Sequence, residues 1–134
     1  MGLFEWSDSY KVDYPDIDNQ HKRWFQIAQE LHSAVVTRKG REVLGQTLNN
    51  LVAYTKGHFA TEERLMLTHG YPDYSEHKDQ HEALRAKLAQ LQRDFEAERA
   101  TVAVEFLQFF KVWLAHHISV VDNRVGAYLN QKGR

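Results

Sequence analysis

Histidines and carboxylates lie on the apolar faces of four predicted helices, and this pattern constrains the fold more than any other feature. These polar side chains recur at helical spacing among leucines and aromatic residues that are expected to face the interior. The seven side chains are five histidines and two carboxylates: His21, His58, Glu62, His77, His81, His117 and Asp122. A carboxylate is costly to bury unless a cation meets it. A chain that buries both carboxylates therefore needs cations in its core, and the simplest are two metal ions.

Composition excludes several other kinds of site. The chain has 134 residues, enough for one domain with a single core, which we divide into an arm over 1–17 and a helical bundle over 18–131. With 17 lysines and arginines against 18 aspartates and glutamates, it has no basic block for nucleic acid. The absence of cysteine excludes disulfides and thiolate metal sites. Because we find neither a signal sequence nor a membrane-length apolar run, we expect a cytoplasmic monomer without membrane insertion.

Glycines and prolines divide the chain into an aromatic arm and a series of helices. The arm ends near Pro15, and Asp16 or Asp18 is expected to cap the first helix, with Gly40 at its far end. The helices are predicted to cover residues 18 to about Arg38, 41–68, 73–97, and the chain from about Thr101. Four long helices with short connections predict an all-α fold, an antiparallel up-down-up-down four-helix bundle with an N-terminal arm and a short C-terminal helix.

The spacing of the last two candidate ligands predicts a distortion in the fourth helix. The pairs on the second and third helices are each four residues apart, so each pair lies on one helix face. His117 and Asp122 are five apart, which places them about 140° apart around an ideal helix. Both can face inward only if the backbone changes near Ile118–Val121, as a π-bulge or a break would do. A short final helix is then expected over residues 123 to 132.

Hydrogen-bonded core residues are the alternative explanation of these histidines. That explanation suits a single histidine, but it leaves Glu62 and Asp122 as uncompensated buried charges. His32, His69 and His116 lie too far along or around their helices to share the ligand site, and we expect them at the surface or around the ligands. Imidazole and carboxylate ligands suit iron, zinc, copper or nickel alike. Five imidazoles, two bridging carboxylates and an oxo or hydroxo bridge leave one open position on two six-coordinate ions, a site for one small ligand.

Motifs spread over nearly the whole chain match one family pattern. They are Ile17-Asp18-Asn19-Gln20-His21-Lys22, His58-Phe59-Ala60-Thr61-Glu62-Glu63, Gly70-Tyr71-Pro72, His77 with His81, and Trp113-Leu114 before His117-Ile118 and Asp122. With these residues the chain resembles the hemerythrins, specifically their single-domain bacterial form. The resemblance implies a helical bundle that holds two iron ions, Fe²⁺ or Fe³⁺, with an oxo or hydroxo bridge. The implied ligands are His77, His81 and His117 for one iron, His21 and His58 for the other, and Glu62 and Asp122 as bridges.

The resemblance also implies a function, reversible O₂ binding for oxygen transport or storage, at the iron that has two histidines. An apolar lining is implied around the bound O₂, and its residues are Trp24, Phe59, Trp113, Leu114 and Ile118. Trp24 is larger than the aliphatic side chain that the resemblance implies at its position. The implied partner is O₂ itself, with an O₂-consuming or electron-donating protein as a candidate client.

Two other kinds of function fit the same residues. The chain could sense O₂ or redox state together with a separate partner, because it has no room for an output domain of its own. It could also be an enzyme, such as a di-iron peroxidase, a nitric oxide-handling protein or an iron donor. Turnover would need an electron donor and a polar proton-delivery group near the open position, whereas the implied lining is apolar. We therefore expect an oxygen-binding protein without catalytic residues.

Overall fold

A computed structural model of the chain describes residues 4–37, 40–97 and 102–131. Its elements are a short 3₁₀ turn at Asp8–Tyr10, α1 at Pro15–Val36, α2 at Arg41–Thr68, α3 at Tyr74–Glu96, α4 at Val102–His116 and α5 at Asn123–Gln131. A π-helical segment, His117–Asp122, joins α4 to α5. Consecutive helices α1 to α4 pack against one another and α4 packs against α1, which closes the bundle. The predicted all-α, antiparallel four-helix bundle with a short C-terminal helix is confirmed.

The apolar interior of the bundle consists of two clusters with a polar layer between them. The larger cluster includes Trp24 and Leu31 of α1 with buried residues of the other three long helices. The smaller cluster joins the arm and α5 to Ile17 of α1 and Met66 of α2. His21 lies between Ile17 and Trp24 along α1, so the polar layer is enclosed by apolar packing along the bundle axis. Burial of a large apolar side chain contributes about 1.5–3 kcal/mol, and this packing offsets the cost of the polar layer.

The start of α1 differs from the prediction. Pro15 is the first helical residue, where its missing N–H costs nothing, and Tyr14 precedes it without a side-chain cap. Asp18 lies within the helix, and its Oδ1 accepts a hydrogen bond from the backbone N–H of Val12 at 2.8 Å. The prediction that Asp16 or Asp18 caps the helix was therefore wrong. The Asp18 carboxylate ties the arm to α1 instead.

Gly40 stands at the start of α2 rather than at the end of α1. Its φ of 97° lies in a region that glycine enters without steric cost, and it precedes Arg41 as the N-cap of α2. The prediction for Gly40 was wrong because α1 already ends at Val36. The limits predicted at Arg38, Thr101 and residue 132 lie outside the described residues. Within the described residues, no helix is long and apolar enough to cross a membrane.

Gly126 marks a close approach between α5 and the arm, and it provides a test of this packing. A Cβ at Gly126 would lie 2.3 Å from the carbonyl oxygen of Val12 and 2.8 Å from its Cβ. We expect Gly126→Ala to lower the free energy of unfolding by about 1–3 kcal/mol, because the arm must move. At Gly57 of α2 a Cβ meets nothing within 4 Å, so Gly57→Ala should raise it by about 0.5–1 kcal/mol. Urea unfolding at equal metal content measures both, and equal losses would contradict the assignment.

Candidate metal centre

All seven predicted ligand residues meet in the polar layer of the bundle. Each of them is buried, with at most 2% of its surface exposed. They come from every long helix and from the π-helical segment: His21 from α1, His58 and Glu62 from α2, His77 and His81 from α3, and His117 and Asp122 from the π-helical segment. The structure thus brings together all the residues that the sequence pattern selected.

The π-helical segment is what turns His117 and Asp122 toward the same point. In an α-helix these positions would be about 140° apart, whereas wider i→i+5 turns bring residues five apart closer in angle. The segment spans His117–Asp122, and both end residues are buried. The distortion predicted near Ile118–Val121 is therefore confirmed. This local change of helix type allows both His117 and Asp122 to face the interior.

Asp122 faces two groups of histidines with its two oxygens. Its Oδ1 lies 3.0 Å from His77 Nε2 and 3.2 Å from His117 Nε2. Its Oδ2 lies 2.9 Å from His21 Nε2. One carboxylate oxygen therefore points to each side of the polar layer.

Glu62 divides its oxygens in the same way. Its Oε1 lies 3.1 Å from His81 Nε2 and 3.4 Å from His77 Nε2. Its Oε2 lies 3.5 Å from His58 Nε2 and 3.6 Å from His21 Nε2. Each carboxylate therefore presents one oxygen to a three-histidine group and the other to a two-histidine group, which is the arrangement of bridging ligands.

The buried polar atoms of this layer are arranged to bind metal ions rather than to hydrogen-bond to one another. The carboxylate oxygens and imidazole nitrogens lie 2.9–3.6 Å apart. Within the described residues, the four carboxylate oxygens and all five Nε2 atoms have no hydrogen-bond partner. Leaving a buried polar group unsatisfied costs about 1–3 kcal/mol, and more for a charged one. Two cations would satisfy all of these atoms, because the ligand atoms form two groups that share Glu62 and Asp122.

The histidines and carboxylates of this layer shift one another's pKa values. Burial opposes a charge on His21, but the adjacent carboxylates of Asp122 and Glu62 outweigh burial and raise its pKa to about 9. The same balance raises the pKa of His77 to about 9. Burial prevails at His58 and lowers its pKa to about 4. Burial alone would raise the pKa of both carboxyls, but the surrounding histidines hold these pKa values below the ordinary range.

Three of the five ligand histidines are held from behind by hydrogen bonds to Nδ1. His58 Nδ1 bonds the side-chain Oε1 of Gln20 at 2.7 Å. The backbone carbonyl of Gln20 accepts a hydrogen bond from the Tyr54 hydroxyl. His117 Nδ1 bonds Gln80 Oε1 at 2.8 Å. Such partners fix the imidazole so that Nε2 faces the metal. Nδ1 of His21 has no partner among the described residues.

His81 is the one ligand, among the described residues, whose Nδ1 meets a charged partner. Glu63 Oε2 accepts its N–H at 2.8 Å, and Arg85 Nη2 donates to the same oxygen at 3.1 Å. The His81 ring stacks on Phe59 at 3.7 Å, and the Arg85 guanidinium lies 5.2 Å from the Phe59 ring. An anionic partner raises the basicity of an imidazole, so we expect His81 to be a stronger metal donor than His58 or His117, whose Nδ1 partners are neutral amides.

These outer partners were not predicted from the sequence, although a signal for them exists there. Gln20, Glu63 and Gln80 each stand next to a ligand in sequence. A residue adjacent to an inward-facing ligand points about 100° away from it, toward a neighbouring helix. Each one bonds a histidine of a later element: Gln20 of α1 bonds a histidine of α2, Glu63 of α2 bonds one of α3, and Gln80 of α3 bonds His117 of the π-helical segment that continues α4. Reading this signal requires the order of helices around the bundle.

The predicted lining residues lie against the ligand layer or in the larger apolar cluster. Trp24 and Phe59 are buried beside ligand rings, and half-buried Trp113 stacks on His117 at 4.3 Å. Leu114 and Ile118 are buried in the larger cluster. The other histidines lie outside the two ligand groups: His32 is half-buried, His69 bonds the carbonyl of Leu65, and His116 is exposed.

Comparison with known proteins gives the same family as the site residues. The family model described as "Hemerythrin HHE cation binding domain" matches residues 12–129. The chain belongs to the hemerythrin family. A bacteriohemerythrin of Methylococcus capsulatus is 34% identical over 131 residues, which cover 97% of this chain and 99% of that protein. Myohemerythrin of Sipunculus nudus is 32% identical, with 89% of this chain and 88% of that protein covered.

Solved hemerythrin structures share the architecture of the chain. The crystal structure of a wild-type hemerythrin superposes with a TM-score of 0.88 at 34% identity, over 95% of this chain and 98% of the other. A leucine-to-alanine variant of hemerythrin superposes with a TM-score of 0.89 at 33% identity, over 96% and 98% of the two chains. A hemerythrin fold with a cation-binding family signature agrees with the two ligand groups found in the polar layer.

The two kinds of ligand should respond differently to removal. Glu62→Ala removes contacts on both sides of the layer and should lose at least one of two bound iron ions. His21→Ala opens one position that water can fill, so iron should be retained but should oxidise faster in air. Elemental analysis and the rate of oxidation measure the two effects. Equal iron loss in the two variants would contradict the bridging role of Glu62.

The charged partner of His81 should matter for metal affinity. Glu63→Gln keeps the size of the side chain but removes its charge, and we expect iron affinity to fall by about 10- to 100-fold. Glu82→Gln is the matched control, because Glu82 is exposed and pairs with Arg85 rather than with a histidine. Competition with a chelator measures both affinities. A loss of the same size in the control would assign the effect to Arg85 or to surface charge.

Proposed function

We propose that this hemerythrin-family chain binds O₂ reversibly at a di-iron centre and serves in oxygen transport or storage. The observation that carries the proposal is the division of both buried carboxylates between two histidine groups. In the proposed assignment the ligands of one iron are His77, His81 and His117, those of the other are His21 and His58, and Glu62 and Asp122 bridge. Two bound iron ions would supply the electrons that O₂ accepts when it binds.

The ligand count supports a place for one small exogenous molecule. One group offers five ligand residues and the other, with His21 and His58, offers four, counting the shared carboxylates in both. The ion in the smaller group therefore has room for a further ligand. Five of the seven ligands are neutral imidazoles, unlike the carboxylate-rich di-iron sites of helical bundles. Lower negative charge favours holding O₂ over cleaving it.

The surroundings of the ligand layer support reversible binding over turnover. Trp24, Phe59, Leu114 and Ile118 are buried and offer carbon surfaces, and the indole N–H of Trp24 is already engaged. Water and protons promote loss of bound reduced oxygen species, so an apolar enclosure protects the bound state. We therefore propose an oxygen-binding protein rather than an enzyme. A cytoplasmic location, a monomeric state, the single domain with its arm over 1–17 and its bundle over 18–131, and an O₂-consuming or electron-donating client stay predictions.

Titration of the reduced, iron-loaded protein with O₂ in an anaerobic cell tests this function. We expect about one O₂ bound per chain, with an absorbance change that disappears when O₂ is removed and returns over repeated cycles. Glu62→Ala, which should lose iron, serves as the control for specific binding. Irreversible oxidation in the first cycle, or continuous O₂ consumption with added reductant, would overturn the proposal in favour of an enzyme.

A further inference from the structure

One aromatic side chain lies against both histidines of the smaller ligand group. Trp24 is fully buried, and its ring centroid is 4.9 Å from that of His58. The centroid of the His21 ring is 6.2 Å away, with an angle of 28° between the ring planes. Since this group offers fewer ligands than the other, Trp24 lies on the side where an exogenous ligand has room.

Hydrogen bonds fix the orientation of this indole. Its Nε1–H donates to Thr55 Oγ1 at 2.9 Å, and the Thr55 hydroxyl donates to the carbonyl of Leu51 at 2.7 Å. Thr55 is itself fully buried. The Thr55 hydroxyl proton is therefore committed to the helix backbone, and its lone pair is left for the indole. The only polar atom of Trp24 is tied to Thr55, so the ring can offer an incoming ligand only carbon atoms.

Neighbouring rings prevent the indole from moving aside. Phe59 and Phe110 each lie 5.6 Å from Trp24, at 88° and 62°, and Trp113 lies 6.2 Å away at 76°. Edge-to-face contacts of this kind contribute about as much as a hydrogen bond and define a geometry. Close-packed interiors resist any increase in volume at such a point. A ligand too large for the space beside Trp24 must therefore displace a ring that is held on several sides.

We propose that Trp24 sets the size limit of the ligand at the His21 and His58 position, admitting diatomic O₂ and disfavouring linear anions of three or more atoms. This proposal rests on the proposed function, and it adds a selectivity that the ligand set alone does not provide. The Trp24 side chain is a rigid apolar surface next to the imidazole rings of His21 and His58. Size selection of this kind comes from sterics, because the indole has no free hydrogen-bond donor to offer a ligand.

Azide and thiocyanate binding to the oxidised, iron-loaded protein tests the size limit. In Trp24→Leu we expect the affinity for azide to rise at least about tenfold, and that for thiocyanate to rise more. The basis is that one methylene group in a closed apolar pocket changes affinity by roughly 10- to 200-fold. Trp24→Phe keeps an aromatic ring, so both anion affinities should rise less than in Trp24→Leu, and the affinity for thiocyanate should again rise more than that for azide. If Trp24→Leu fails to hold iron, Trp24→Phe still carries the test.

Phe110→Leu is the matched control for loss of a buried ring. Phe110 is fully buried and contacts Trp24, but among the described residues its ring is not paired with that of any predicted ligand histidine. We expect its anion affinities to stay within about twofold of the unchanged protein. Iron content is measured for every variant, so that anion binding is compared at equal loading.

The outcomes separate this inference from the function on which it rests. If the unchanged protein binds azide as tightly as Trp24→Leu does, or if Phe110→Leu gives the same rise, the size limit is overturned. If the unchanged protein fails to bind O₂ reversibly, the proposed function is overturned, whereas the anion series still measures the effect of Trp24. Tight anion binding in the Trp24 variants alone supports the inference.

Discussion

The rest of this structure depends on two buried carboxylates that have no hydrogen-bond partner within the part of the chain that the structure describes. Glu62 and Asp122 are fully buried, and imidazoles from four different segments of the chain lie next to their oxygens. Removing an ion from water costs several kcal/mol even after relaxation, so the carboxylates require either protons on histidine or bound cations. Each helix must therefore deliver a nitrogen to one layer, and that requirement sets the register of the whole bundle.

The same requirement explains why the last helix changes type. An inward-facing His117 and an inward-facing Asp122 cannot both exist on a regular helix at a separation of five residues. The π-helical segment replaces regular i→i+4 bonding over one turn, and as a result Asp122 presents one carboxylate oxygen to each side of the layer. A conflict between helical period and ligand spacing is visible in sequence, which is why this irregular segment could be predicted although most irregular segments cannot.

Features that depend on one helix were predictable from sequence, and features that depend on two were not. The bounds of α2 and the inward direction of the seven predicted ligand residues follow from periodicity and turn residues. The capping prediction failed because Asp18 has a tertiary partner, the Val12 N–H of the arm, that competes with the local capping rule. The pairing of Trp24 with Thr55 joins residues 31 apart on two helices and leaves no trace in either helix alone. Helix order and rotation, not composition, decide these contacts.

The two ligand groups differ in the hydrogen-bond partners of their histidines and in the number of their ligands. The larger group contains His81, whose anionic partner Glu63 is held by Arg85, and this arrangement strengthens a ligand and favours firm retention of an ion. In the smaller group, His58 has the neutral partner Gln20. That group has fewer ligands and an aromatic wall beside it. If two iron ions occupy the two groups as we propose, stronger donation on one side and fewer ligands on the other favour one firmly held ion next to one that exchanges its ligand.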